Sequence, residues 1–296
     1  MKKQGLGMVM ILAAASMWGT IGFLTRMINP LGFSSLSLIF YRALTTAVIM
    51  GIIILFKDKS LFRIKLRDIW IFIGSGVISF FAFNVCYMLS IGENSLAVAA
   101  ILLYTSPVFV MLLSMLFFKE KISAKKTAAL ICALCGCALV SFGGEVKISF
   151  AGLLLGVGSG LGYALYSIFG TVALNRGYST FTITFYTFLF ASVAALSCAD
   201  FSLTLPLFIS DVMNVAIIAL FSVWVTVLPY LLYTRGMEYN NATVASIVST
   251  VEPVVAALFG FFAFGENPGA SGAAGMALVI LSIVILNIRL AKRKVV

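Results

Sequence analysis

The sequence contains no histidine and little charge of either sign. Only 10% of its 296 residues are Asp, Glu, Lys or Arg. Without histidine the chain lacks the most common metal ligand and the usual proton relay. Cys132, Cys135 and Cys137 fall in one predicted helix, but their spacings do not share a face. The chain also lacks a Walker sequence and a nucleophile–base pair, so we expect no enzymatic activity, no cofactor and no metal site.

Hydrophobic residues dominate instead. They make up 62% of the chain, and the mean hydropathy is +1.13. A soluble domain carries about 25% charged residues, whereas continuous apolar runs of about 20 residues have the length of a helix that crosses a bilayer. The strands of a β-barrel would instead alternate apolar and polar residues. The composition therefore predicts an all-α integral membrane protein with no room for a soluble domain.

Polar breaks divide the chain into ten predicted transmembrane helices. The N-terminal run resembles a signal peptide at its start, but it continues to about Leu24, so we interpret it as an uncleaved first span. The connections are short, so successive helices are expected to be antiparallel neighbours. The predicted spans are Gly5–Arg26, Ser34–Phe56, Asp68–Gly92, Leu96–Phe118, Ala124–Phe142, Ala151–Leu174, Thr180–Ala199, Val212–Gly236, Thr243–Phe264 and Ala270–Leu290.

Positive charge is distributed unevenly between alternate connections. Of the 20 Lys and Arg residues, 17 fall in one set of alternate segments, which includes both termini, 2 fall in the other set, and Arg42 lies within a span. Because positive residues are retained in the cytoplasm, this pattern predicts an even number of spans and cytoplasmic N- and C-termini. It also assigns the net charge of +10 to topology in the lipid bilayer of the inner or plasma membrane, rather than to nucleic acid.

The chain repeats itself. At an offset of 146 positions, residues 94–120 align with residues 240–266, and the matches include Asn94 with Asn240 and Pro107 with Pro253. An offset of 145 aligns Trp18 with Tyr163 in the earlier spans. Each half would hold five spans, an odd number, so the second half would enter the membrane upside down relative to the first. We predict two inverted five-helix repeats, residues 1–147 and 148–296, an architecture of secondary transporters.

Two charged residues fall near the middle of predicted spans, where an isolated charge is costly. Glu252 could couple transport to protons, bind a cation, or make a structural hydrogen bond to a neighbouring helix. Arg42 stays charged in proteins. It could contact Glu252, hold the anionic end of a solute, or extend its long stem toward an interface. The equivalent of Glu252 in the first half is Ser106, so the carboxylate is not repeated.

Prolines and aromatic residues complete the candidate site. Pro107 and Pro253 each remove a backbone hydrogen bond near midspan, and we expect the two kinked helices to face a central cavity, although a simple packing kink would look the same. Deep tyrosine and tryptophan side chains need polar partners. With the amide of Asn84 they could line a pocket for an aromatic or cationic solute. The candidates are Trp18, Tyr87, Tyr104, Tyr163, Tyr166, Tyr230 and Tyr233.

Several short motifs together resemble the EamA-type family of the drug/metabolite transporter superfamily. They are Trp18-Gly19, Arg42, Tyr87 with Ser95 and Ala97, Ser106-Pro107 with Glu120, and Glu252-Pro253-Val254 followed by Gly265-Glu266. The resemblance covers about residues 6–288. It implies an inner-membrane carrier of small metabolites, and chiefly an exporter of amino acids and related compounds. Some members of the family are thought to take solutes up or to exchange them.

We therefore predict a secondary active transporter that exports amino acids or related small metabolites by alternating access. The alternative is an uptake or exchange carrier for a small cationic or aromatic solute, such as a drug or a quaternary amine. A channel and a membrane protein that transports nothing are further alternatives. Protons or the gradient of the solute itself would drive transport. The sequence leaves open whether the protein is a monomer or a homodimer.

Overall fold

The computed structural model describes residues 2–141 and 147–287, and within those ranges it contains helices and short connections but no strand. The ends predicted at Phe142 and Leu290, and the basic residues of the C-terminal segment from Arg289 onward, lie outside the described residues. The helical segments are α1 (Lys3–Leu31), α2 (Ser35–Lys57), α3 (Leu66–Glu93), α4 (Leu96–Phe118), α5 (Ala124–Ser141), α6 (Phe150–Asn175), α7 (Thr180–Ala195), α8 (Phe201–Ser210), α9 (Val212–Met237), α10 (Ala242–Phe264) and α11 (Gly269–Asn287).

Nine of these segments, all except α7 and α8, are long and apolar enough to cross a membrane, counted over the described part of the chain. The prediction of an all-α membrane protein is thus confirmed. The seventh predicted span is the exception in length, because α7 has 16 residues. At 1.5 Å per residue it is about 24 Å long, which is shorter than the roughly 30 Å hydrocarbon core. The count of ten spans therefore stays a prediction.

Helix α8 was not expected, since the sequence placed residues 200–211 in an external connection. Asp200 begins this helix by accepting a hydrogen bond from the backbone N–H of Leu203, at 3.2 Å. Its inner face packs on α2: Phe201 contacts Phe40 with ring centroids 5.0 Å apart. Pro206 lies within the helix. In the sequence analysis the segment fell between two predicted spans, Thr180–Ala199 and Val212–Gly236.

Two pairs of helices that the repeat makes equivalent lie side by side and antiparallel. At one end of α2, Lys57 lies over the ring of Phe181 at the start of α7, at 4.7 Å. At its other end, the Ser37 hydroxyl accepts a hydrogen bond from the backbone N–H of Asp200, just beyond α7, at 3.2 Å. Helices α5 and α11 pair in the same way: Leu130 and Leu286 belong to one apolar cluster. Antiparallel packing of equivalent helices is what an inverted repeat requires.

The same contact also recurs at opposite ends of the bundle. Gly152 in α6 leaves room for the side chain of Asn94, because a Cβ at Gly152 would lie 2.5 Å from it. The repeat-equivalent Gly7 in α1 leaves room for the side chain of Asn240 in the same way. The two offsets found in the sequence relate the Gly7–Asn240 contact to the Gly152–Asn94 contact, so the same contact is made twice. The internal repeat is a property of the packing as well as of the sequence.

Both halves interrupt their helices near the middle of the bundle. In α4 the helix breaks between Leu103 and Ser106, and in α10 a 3₁₀ turn, Ser249–Val251, precedes Glu252. Pro107 and Pro253 each lie in the first turn of the helix that follows the break, a position where the missing N–H is tolerated. Helices α3 and α9 contain π turns, Gly74–Phe81 and Val223–Val227, which the sequence analysis did not predict.

Candidate functional site

A large cavity lies at the centre of the bundle. Its volume is about 790 Å³, and it is bounded chiefly by α1, α2, α3, α4, α9 and α10. Its outer part reaches Ser35 at the start of α2 and the exposed residues Arg26 and Glu266, which form an ion pair at 2.6 Å. These residues mark the mouth of the cavity. The basic connection between α2 and α3 follows the other end of α2, so the mouth lies at the end of the bundle away from it.

Eight of the ten residues predicted to bind solute line this cavity. They come from seven helical segments, and each half of the chain contributes some of them. Pro253 also lines it, whereas Pro107 does not. The eight are Trp18, Arg42, Asn84, Tyr87, Tyr104, Tyr163, Tyr230 and Glu252.

Glu252 is positioned by the break in α10 and by a close approach of α1. A Cβ on Gly19 would lie 2.7 Å from the backbone oxygen of Glu252, so only glycine at that position allows the two helices to approach this closely. The Tyr163 hydroxyl donates a hydrogen bond to the Glu252 carboxylate at 3.0 Å. Tyr104 lines the same part of the cavity. Tyrosines from both halves of the chain thus surround Glu252, which among the described residues is the one acidic side chain of the lining away from the mouth.

Arg42 is held without an acidic partner. Its Nη2 donates to Asn84 Oδ1 at 3.2 Å, and Asn84 is itself fixed because its Nδ2 donates to the backbone oxygen of Phe80 at 2.7 Å. The guanidinium lies over the Phe80 ring at 5.0 Å. Its Nε is buried and has no hydrogen-bond partner. Such a cation, with donors to spare on the wall of a cavity, can receive the anionic group of a solute.

The hypothesised contact between Arg42 and Glu252 is not made. Across residues 2–141 and 147–287, Arg42 has no carboxylate within 4.0 Å. A series of rings connects the two charges instead. Phe80 and Tyr230 have centroids 6.0 Å apart, Tyr230 and Trp18 5.2 Å, and Trp18 and Tyr163 6.2 Å. Opposite charges that do not neutralise each other are therefore joined by an aromatic wall.

Tyr166 and Tyr233 do not reach the large cavity. The Tyr166 hydroxyl shares a hydrogen bond with Thr234 at 2.7 Å, and the Tyr233 hydroxyl shares one with Ser167 at 2.8 Å. Both rings line a second, closed cavity with a free volume of about 10 Å³. This space holds at most a single water molecule. As the structure stands, these two tyrosines therefore hold helices together.

Sequence reasoning missed the small residues that make the space. Gly22, Ala97, Ala100, Ala256 and Gly260 all line the large cavity. They recur at spacings of three and four positions, which place them on one face of a helix. That spacing was the signal that could have found them, but small residues at helical spacing usually indicate close packing of two helices. Here some of them leave a gap instead.

Comparison with known proteins agrees with this architecture. The model of the EamA-like transporter family matches the chain twice, over residues 5–142 and 150–288. An uncharacterized transporter of Archaeoglobus fulgidus is 31% identical over 199 residues, which cover 67% of this chain and 70% of the relative. A second one from that organism is 26% identical over 294 residues and covers 94% and 97% of the two chains.

One relative has a named solute, and one solved structure has the same fold. The pseudopaline exporter CntI of Pseudomonas aeruginosa is 28% identical over 212 residues, which cover 69% of this chain and 70% of that protein. A crystal structure matches with a TM-score of 0.74 at 16% identity, over 95% of this chain and 96% of the other. The chain therefore belongs to the EamA-like transporter family and is a multi-pass membrane transporter.

Proposed function

We propose that the protein is a secondary carrier that exports an amino acid or a related small metabolite by alternating access. The observation that carries this proposal is the large cavity, in which Arg42 and Glu252 face the same space without forming an ion pair. A zwitterionic solute would place its carboxylate at Arg42 and its ammonium group at Glu252. The named activity of the related pseudopaline exporter supports export of a small metabolite, although not of this class in particular.

The surroundings of each charge suit that assignment. Arg42 and Asn84 offer N–H donors, which a carboxylate can accept. Glu252, Tyr104 and Tyr163 offer a negative charge and ring faces, which attract an ammonium group. The rings between them would contact the hydrocarbon part of the solute. In this proposal Glu252 takes up a proton when the ammonium group leaves, which couples solute movement to proton movement in the opposite direction.

The distribution of charge supports an assignment of the side of the membrane that the mouth faces. The exposed basic residues Lys59, Arg63 and Lys65 lie in the connection after α2, which we assign to the cytoplasm because positive residues are retained there. The mouth of the large cavity would then face outward, in the inner or plasma membrane. In this state the carrier would release its solute to the outside and bind a proton before returning.

Uptake or exchange of a cationic or aromatic solute is the second candidate. It is favoured by the ring-lined setting of Glu252, where Trp18 and Tyr163 could enclose a quaternary amine. In that case Arg42 would not contact the solute. A panel of amino acids and quaternary amines, measured by counterflow from preloaded proteoliposomes, separates the two candidates by which class exchanges.

The decisive test replaces the carboxylate with an amide of the same shape. Glu252→Gln should lower proton-driven flux of the transported solute in proteoliposomes by about 10- to 100-fold and should flatten its dependence on pH. The matched control is Glu93→Gln, because Glu93 accepts a hydrogen bond from Ser149 at 3.1 Å on the exposed surface. Wild-type flux and pH dependence in Glu252→Gln would remove Glu252 from the mechanism.

A further inference from the structure

The small closed cavity and the large cavity lie on opposite sides of the centre of the bundle. Its lining includes Tyr166, Ser167, Tyr233, Ser246 and Ser249. In the chain, these residues lie between the centre of the bundle and the ends of α6, α9 and α10 that we assign to the cytoplasm. The small cavity therefore lies on the far side of the centre from the mouth of the large one.

The two repeat offsets found in the sequence map one cavity onto the other. Every residue that lines the small cavity has an equivalent, 145 or 146 positions away, that lines the large cavity. Ser106 corresponds to Glu252, and Tyr233 corresponds to Tyr87. The volumes, about 10 and about 790 Å³, show that side chains nearly fill one space and leave the other wide.

The residues that differ between equivalent positions of the two linings also show how the small cavity is kept closed. Ser167 binds Tyr233, but its equivalent Gly22 has no side chain with which to bind Tyr87. Tyr166 binds Thr234, whereas its equivalent is Ile21, which has no hydroxyl. The two closing hydrogen bonds thus have no counterpart on the open side.

We infer that the small cavity is the closed, cytoplasm-facing half of the solute pathway, and that Tyr166–Thr234 and Ser167–Tyr233 are its gate. This inference rests on the proposed alternating-access carrier. When the halves exchange conformations, the small cavity opens and the large one closes. Ser246 and Ser249 then line the route by which solute enters from the cytoplasm. Trp18, Tyr163 and Tyr230 line both cavities, so they form the central site that holds the solute in either state.

The chemistry of this inner half differs from that of the outer half. Its lining carries hydroxyl groups and rings and no charged side chain. The outer half carries Arg42 and Glu252. A solute from the cytoplasm would therefore first meet uncharged hydrogen-bonding groups, and it would reach both charges only at the centre and beyond.

A pair of repeat-equivalent cysteines tests this inference. Ala100→Cys and Ser246→Cys, each introduced into a chain with its five native cysteines replaced, report on the large and small cavities respectively. Labelling by a small maleimide in proteoliposomes is measured for each, with and without Tyr233→Phe. The replacement keeps the ring of Tyr233 and removes only its hydroxyl.

We expect Cys at position 100 to react rapidly and Cys at position 246 slowly in the parent chain. Tyr233→Phe should raise the labelling rate at position 246 by about threefold, as expected for the loss of one hydrogen bond between membrane helices, and should lower it at position 100. The control Tyr87→Phe, which changes the equivalent ring of the open cavity, should not raise labelling at position 246.

Two outcomes would overturn the inference while leaving the carrier intact. One is solute flux at the parent rate with no labelling at position 246 in any variant or with any solute. The other is a rise at position 246 that does not depend on the hydroxyl of Tyr233. Loss of flux in every solute assay, with the exchange of labelling still present, would instead contradict the proposed function alone.

Discussion

At the scale of single residues, the site depends on how two charges are kept apart. Arg42 donates a hydrogen bond to Asn84, and Glu252 accepts one from Tyr163, so each charge has a neutral partner in place of the other. A direct ion pair would have neutralised both groups. Hydrogen bonds from neutral side chains instead satisfy part of each group and leave the remaining capacity for a solute.

Replacement of Arg42 should separate solutes by their anionic group. Arg42→Gln removes the charge, and affinity for a solute with a free carboxylate should fall by about 10- to 100-fold, as measured by competition for counterflow. Affinity for the corresponding amide should change little. The control is Arg26→Gln, since the Arg26–Glu266 pair is half exposed, at 51% and 54%, and such pairs contribute about 1 kcal/mol or less. Equal losses for the carboxylate and the amide would contradict the proposed role of Arg42.

At the scale of helices, small residues decide which pairs touch and which leave space. Gly136 and Gly275 bring α5 and α11 into backbone contact, whereas Gly22 and Ala100 face the large cavity. All four are small residues within apolar predicted spans. Only the position of the neighbouring helix distinguishes a contact from a gap, and that position depends on the whole bundle.

A methyl group should therefore have opposite effects at two helical glycines. In Gly275→Ala the new Cβ would lie 2.6 Å from the backbone oxygen of Gly136 and 2.7 Å from the backbone nitrogen of Val140. We expect a loss of about 1–3 kcal/mol, as for other overpacked sites, seen as a lower melting temperature of the purified protein.

The matched control for that change is Gly158→Ala in α6. The nearest atom to its new Cβ is the Cys86 sulfur at 3.8 Å, an ordinary contact distance. Alanine should be neutral or should stabilise the helix by up to about 1 kcal/mol. A melting temperature for Gly275→Ala equal to that of Gly158→Ala would show that α5 and α11 do not pack at this pair of glycines.

At the scale of the whole molecule, the inverted repeat relates the two ends of the bundle. Equivalent helices are antiparallel, and the glycine–asparagine contact recurs at opposite ends. The arrangement explains why one space can be open while its equivalent is closed: the two are the same set of positions in two different conformations.

The side of the membrane reached by each connection tests this arrangement. With Lys59→Cys and Ser197→Cys in a chain without native cysteines, the prediction that α7 crosses the membrane is tested by an impermeant maleimide added to intact cells, which should then label only position 197. Position 59 should be labelled only after permeabilisation. Labelling of both positions from the same side would mean that α7 does not cross, and the count of ten spans would be wrong.

Much of the fold was predictable because it follows from local composition and from the repeat. Apolar runs fixed the long helices, and a single alignment with two offsets identified the equivalent positions. The prolines indicated the breaks in α4 and α10. Helix α8 could not be recognised because it is short and contains a proline. Its stability comes from contacts between residues that are distant in sequence, such as that of Phe201 with Phe40.

The lining of the large cavity was predictable in part, but its geometry was less so. Intramembrane charges, deep aromatic residues and one amide identified eight residues that line the large cavity. The repeat makes Tyr166 and Tyr233 equivalent to Ile21 and Tyr87, which face the large cavity. The sequence therefore could not show that these two tyrosines line a different space. It also suggested a contact between Arg42 and Glu252, since it could not show that Asn84 and Tyr163 lie nearer to these charges.

The π turns in α3 and α9 set how the helical segment after each of them is rotated about the helix axis. Each lies shortly before a residue of the cavity wall, Asn84 after the first and Tyr230 after the second. An α-helix advances about 100° per residue, so removing one residue from either wide turn would swing the following segment by more than a quarter of a circle. The Asn84 amide would then turn away from its arginine, and the Tyr230 ring would turn out of the centre toward the lipid.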